Sequence, residues 1–185
     1  MSFKNYLAVA VLLFGMGIVL GIYSPPGSGM VEEEMSVLED MLRRLAGLPP
    51  VLLAIAILFK NVFALLFSFA FAPLLSLLPV LTLVVNGWIL GVIAAKTVEE
   101  VSLGYLLAGI LPHGIIEIPA LMIGEAAALS FGVSIFYSLF RKNEPGYLTA
   151  SFKKSFRYLI LAVALMVPAA LIETFITPLL LGLFR

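Results

Sequence analysis

Apolar residues fill the chain in long blocks, and the few charges between them mark off candidate membrane helices, each needing about 20 mostly apolar residues to cover about 30 Å of hydrocarbon. Tyr6 to Tyr23 is the first block. It follows Lys4 and stops at Ser24-Pro25-Pro26-Gly27, where prolines fix the backbone and remove donors. Its 18 apolar-rich residues exceed the about 7–15 of a signal-peptide core. No small-x-small cleavage site follows, so the block predicts a retained anchor over 6–23 and not a cleaved leader. Over 31–46 the pattern changes. Val31, Met35, Leu38, Met41, Leu42 and Leu45 share one face of a 3.6-residue repeat, while the opposite face is charged. The acids come early and Arg43 and Arg44 late, as the helix dipole favours, and Gly47 with Pro49-Pro50 closes the segment. This predicts an amphipathic helix lying on the membrane surface or across a neighbouring subunit.

Residues 51–140 predict four central membrane helices. Val51 to Ala95 carries one charge, Lys60, and is long enough for two spans joined around Pro73 to Pro79. After Lys96, Glu99 and Glu100, residues 103–140 contain only His113, Glu117 and Glu125 as ionisable groups. Pro112 and Pro119 predict that this stretch forms two short or proline-broken helices, with Gly124-Glu125 near their turn. Arg141 to Arg157 reads as a basic loop, and 158–184 as the last span. The fold class is therefore all-α: a single polytopic membrane domain over 1–185 with about six hydrophobic helices, embedded in the lipid bilayer of the cell membrane. Charge supports that count. Six spans with both termini outside place eight of the Lys and Arg residues on the cytoplasmic side and two opposite. A single crossing over 103–140 gives six against four at best.

Composition closes off other classes. The chain is 62% hydrophobic and 12% charged with a mean hydropathy of +1.15, where soluble domains carry about 25% charged residues. Eleven Lys+Arg balance eleven Asp+Glu, leaving no basic field for nucleic acid. With no cysteine, disulfides, thiolate metal sites and cysteine nucleophiles are excluded.

An ionisable group deep in lipid costs about 2.5–3.5 kcal/mol on insertion scales, so several in one small protein should face each other or a wet cavity. Lys60 stands at mid-membrane if a span starts at Pro50; if 51–59 lie along the interface, it snorkels to the headgroups. His113 and Glu117 are four residues apart between Pro112 and Pro119, on one helical face. There they can exchange a proton, share a cation or simply staple two helices. Glu173 lies in the last span, with Thr174, Thr177 and Pro178 after it, and needs a partner such as His113, Lys60 or Asn61. The predicted polar cluster is Asn61, Asn86, His113, Glu117 and Glu173, with Lys60 and Glu125 as possible additions. Gly17/Gly21 and Gly87/Gly91 are small-x-x-x-small faces that permit close helix approach and suggest a homo-oligomer. One His and no Cys leave His113, Glu117 and Glu173 as the ligands of any metal site. No cofactor motif is present; a bound cation is the one candidate.

Asn61 in the second span, Asn86-Gly87 in the third, His113-Gly114-x-x-Glu117 in the fourth and Ile172-Glu173-x-Phe175-Ile176-Thr177-Pro178 in the last occur in an order that resembles the stage II sporulation protein M family. The resemblance extends over roughly residues 31–180. It implies an integral membrane module. The founding member works with a cell-wall hydrolase and another membrane protein in membrane migration during engulfment of the forespore, while relatives occur in organisms that form no spores. It supplies no catalytic residues. The expected function is thus a membrane scaffold or remodelling component, with other membrane proteins as partners, whose cluster binds or passes a cation, proton or small solute. The alternative is a metal-dependent intramembrane hydrolase using His113 and Glu117.

Overall fold

The computed structural model describes residues 2–24, 47–74, 76–140 and 146–184. They form α1 (Phe3–Ile22), α2 (Pro50–Phe71), α3 (Leu77–Glu100), α4 (Leu103–Phe140), α5 (Tyr147–Phe175), α6 (Thr177–Leu181) and a 3-10 turn (Gly182–Phe184), with no strand among the described residues. The all-α polytopic architecture expected from hydropathy is what the chain forms. Five helical stretches are long and apolar enough to cross a membrane, α5 continuing through α6 and the 3-10 turn as one of them. The amphipathic helix expected over 31–46 lies outside the described residues.

Among the described residues these stretches number five where about six were expected, since 103–140 is one helix. α4 runs unbroken through Pro112 and Pro119. Each internal proline removes one backbone donor, leaving the carbonyls of Ala108 and Ile115 without their helical partners. A turn inside hydrocarbon would orphan a whole set of backbone groups, so in lipid the continuous helix is the cheaper solution. The charge count prefers six crossings, whereas the described residues hold five stretches long and apolar enough to cross. α4 is about 57 Å long, well beyond the hydrocarbon thickness. Its C-terminal end is accompanied by the start of α5, where Ser151 donates to Ser134 at 2.5 Å. That pairing corrects the basic loop as well: helix begins at Tyr147, and Lys153, Lys154 and Arg157 are exposed on its early turns. Nothing between Tyr147 and Arg157 breaks a helix, and Gly146 supplies the left-handed entry at φ +95.

Side-chain pairs set the directions of the helices. Asn61 meets Glu117 and Ser68 meets Glu125, so α2 and α4 run parallel. Ser134 with Ser151 and His113 with Thr177 show that α5 and α6 return antiparallel to α4. Gly17 packs against Gly87 and Gly21 against Gly91, making α1 and α3 parallel. A Cβ added at Gly21 would run into the Trp88 carbonyl, and one at Gly87 into that of Phe14. The two small-residue faces thus pack on one another within one chain, and they supply no argument for an oligomer. Trp88 clamps the end of this contact, its indole N–H donating to Ser24 at 2.8 Å.

Lipid tails are as apolar as the side chains, so burial alone gives little reason for these helices to associate; close approach of small residues does. Ala120, Ala126, Ala127, Ala128, Ala162 and Ala169 have no exposed surface. They let α4 sit between two clusters, one with Leu65, Phe69, Leu159 and Met166 and the other with Tyr6, Phe14 and Leu83.

Five alternating crossings, one for each of the long apolar stretches among the described residues, would put the start of α1 and the end of the 3-10 turn on opposite membrane faces. The cysteine-free chain makes this testable with single variants Asn5→Cys and Leu183→Cys in sealed vesicles. An impermeant thiol reagent should label one site from outside and the other only after permeabilisation; equal labelling of both would restore an even count. The glycine contact gives a second expectation. Gly21→Ala should cost about 1–3 kcal/mol in thermal unfolding. Gly15→Ala, where nothing lies within 4 Å, should be neutral or better.

Candidate metal centre

α4 places His113 and Glu117 one turn apart on the same face, and α5 ends just after Glu173. Their crossing brings one ligand atom from each of His113, Glu117 and Glu173 within 4.8 Å of the others, all three residues being half-buried. The break between α5 and α6 contributes here. Pro178 lacks an N–H, the helix ends at Phe175 and resumes at Thr177, and this turn carries Thr177 to the imidazole.

Hydrogen bonds fix how the imidazole is presented. The Thr177 hydroxyl donates to the Ile172 carbonyl at 3.4 Å, so its oxygen accepts from His113 Nδ1 at 3.3 Å. With the proton on Nδ1, the Nε2 lone pair is left for a cation, the arrangement in which an outer partner orients a metal-binding histidine. Asn61 donates to Glu117 Oε1 at 3.0 Å. Glu117 Oε2 is buried with no hydrogen-bond partner among the described residues, so the centre holds acceptor capacity that they do not use.

α2 runs unbroken from Pro50, so Lys60 stands about 15 Å into the helix, at mid-span, and is exposed. Its charge and that of Glu117 both reach Glu173. Asn86 is elsewhere. It is exposed on α3 and donates to the Thr82 carbonyl of its own helix at 2.7 Å, so the five-residue cluster expected from sequence contracts to Asn61, His113, Glu117 and Glu173. Glu125 is also separate, about 12 Å further along α4, where it is fully buried and accepts from Ser68. Sequence reasoning missed Ser68 and did not place Thr177 at the imidazole. The available signal was spacing: Asn61 to Ser68 and Glu117 to Glu125 are each close to two helical turns, as parallel neighbours require.

The family model described as Stage II sporulation protein M matches residues 10–178. The chain belongs to that family. The matched stretch contains Asn61, Asn86, His113, Glu117 and Glu173. An uncharacterized protein of Methanocaldococcus jannaschii is 26% identical over 95% of both chains. A second from the same organism is 33% identical over 109 residues, which cover 56% of this chain and 48% of its own. No solved structure matches.

The placement of the two asparagines separates their roles. Asn61→Leu leaves Glu117 without its donor and should cost about 1–3 kcal/mol in thermal unfolding. Asn86→Leu changes an exposed side chain on an apolar helix and should stay within about 0.5 kcal/mol of wild type.

Proposed function

We propose that this stage II sporulation protein M family member is a multi-pass component of the cell membrane, a scaffold or remodelling module whose intramembrane centre binds a cation. The observation that carries the reading is the convergence of His113, Glu117 and Glu173, with ligand atoms within 4.8 Å of one another. One imidazole and two carboxylates form a mixed nitrogen and oxygen set suited to a divalent transition metal. Two acids beside one histidine, with Lys60 in electrostatic reach, are costly to bury in lipid without a balancing positive charge. A bound cation would supply that balance and hold α4 to α5. Lys60 and Asn86, exposed at mid-span, favour a second copy or another membrane protein against α2 and α3, since polar groups there are poorly served by lipid.

A metal-dependent intramembrane hydrolase is the second reading. Three protein ligands with an open fourth position are what a catalytic zinc requires, and the half-burial of all three residues leaves an approach for water.

Metal analysis of the purified protein after dialysis against zinc or manganese tests both readings. Wild type should retain close to one equivalent, and Glu173→Gln and His113→Ala should lose it. Thr177→Val, which frees the imidazole, should weaken binding about 10–100-fold. Retention by the Glu173 and His113 variants, or no binding by folded wild type, would contradict the cation site. The hydrolase reading further requires metal-dependent cleavage of a membrane peptide, lost with the metal.

A further inference from the structure

Glu125 has the character of a second site, independent of the metal centre. It is fully buried, its one hydrogen bond among the described residues comes from Ser68, and its second oxygen has no partner. Among the described residues the side chains packed around it carry no charge: α2 presents Ser68 and Leu65, α5 presents Leu159 and Ala162, and Tyr6 of α1 packs against the neighbouring Ala126. Such a carboxyl group is held in hydrocarbon at least cost with its proton in place.

Between Glu125 and the metal centre the packing is apolar and tight. Leu65, Ala120, Ala162 and Met166 are all buried there, and a Cβ added at Gly124 would approach Leu65 to 2.6 Å. Toward the other end of the bundle Phe69, Ala127, Ala128 and Leu159 are buried as well, so apolar packing encloses the carboxyl on both sides.

We propose that Glu125 is a proton-binding site, walled off from the metal centre by the plug of Leu65, Ala120, Ala162 and Met166. The carboxylate takes its proton from water and returns it to water; no other bond changes.

Infrared spectroscopy of the protein in proteoliposomes tests this. At neutral pH wild type should show the carbonyl stretch of a protonated carboxylic acid, lost in Glu125→Gln, retained in Glu117→Gln, and shifted in Ser68→Ala by removal of the hydrogen bond. The Ser68 variant keeps the assignment testable if Glu125→Gln does not fold. Absence of the band, or its survival in Glu125→Gln, would overturn the site.

Discussion

Hydrocarbon offers no hydrogen bonds, and the organisation of this protein follows from that constraint. Backbone groups meet it by helix formation. Side chains meet it by pairing between elements: Trp88 of α3 donates to Ser24 just past α1, and four further pairs all involve α4, namely Asn61 with Glu117, Ser68 with Glu125, His113 with Thr177 and Ser134 with Ser151. The long helix is the polar spine of the bundle, and small residues on its flanks allow α2 and α5 to come close enough for short side chains to reach.

Hydropathy made the membrane class legible at once, because runs of twenty apolar residues have no other stable use. The ends of α1, α2 and α3 fall within a few residues of the punctuation supplied by Ser24-Pro25, Pro49-Pro50 and Glu99-Glu100. Length misled at 103–140. Two prolines and 38 residues suit a helical pair by counting, but counting does not weigh the cost of a turn in lipid against two lost hydrogen bonds. The same local view assigned the glycine faces to an oligomer. Nothing in Gly17-x-x-x-Gly21 says that its partner is Gly87-x-x-x-Gly91 of the same chain, since that depends on which helices run parallel.

The candidate centre was legible in part for a related reason. His113 and Glu117 share a helix, so their spacing alone put them on one face. Glu173 could be paired with them from cost: a central carboxylate needs company, and few groups were available. Asn86 fails the same argument because it is exposed and bonds within its own helix. Thr177 was hidden in the break before Pro178, where only the folded path of α5 into α6 turns it toward the imidazole. Family membership adds the membrane setting and leaves the chemistry to be read from these side chains.

The account rests on α4 crossing once, parallel to α2, with its two carboxylates meeting Asn61 and Ser68 in register. Disulfide trapping measures this directly, because the chain has no cysteine of its own. Two double variants are needed, Asn61→Cys with Glu117→Cys and Ser68→Cys with Glu125→Cys, each oxidised in native membranes. One continuous α4 predicts that both pairs cross-link within a single chain at comparable yield. If 103–140 turned back on itself, Glu117 and Glu125 would lie on oppositely running helices, and trapping of only one pair would contradict the structure described.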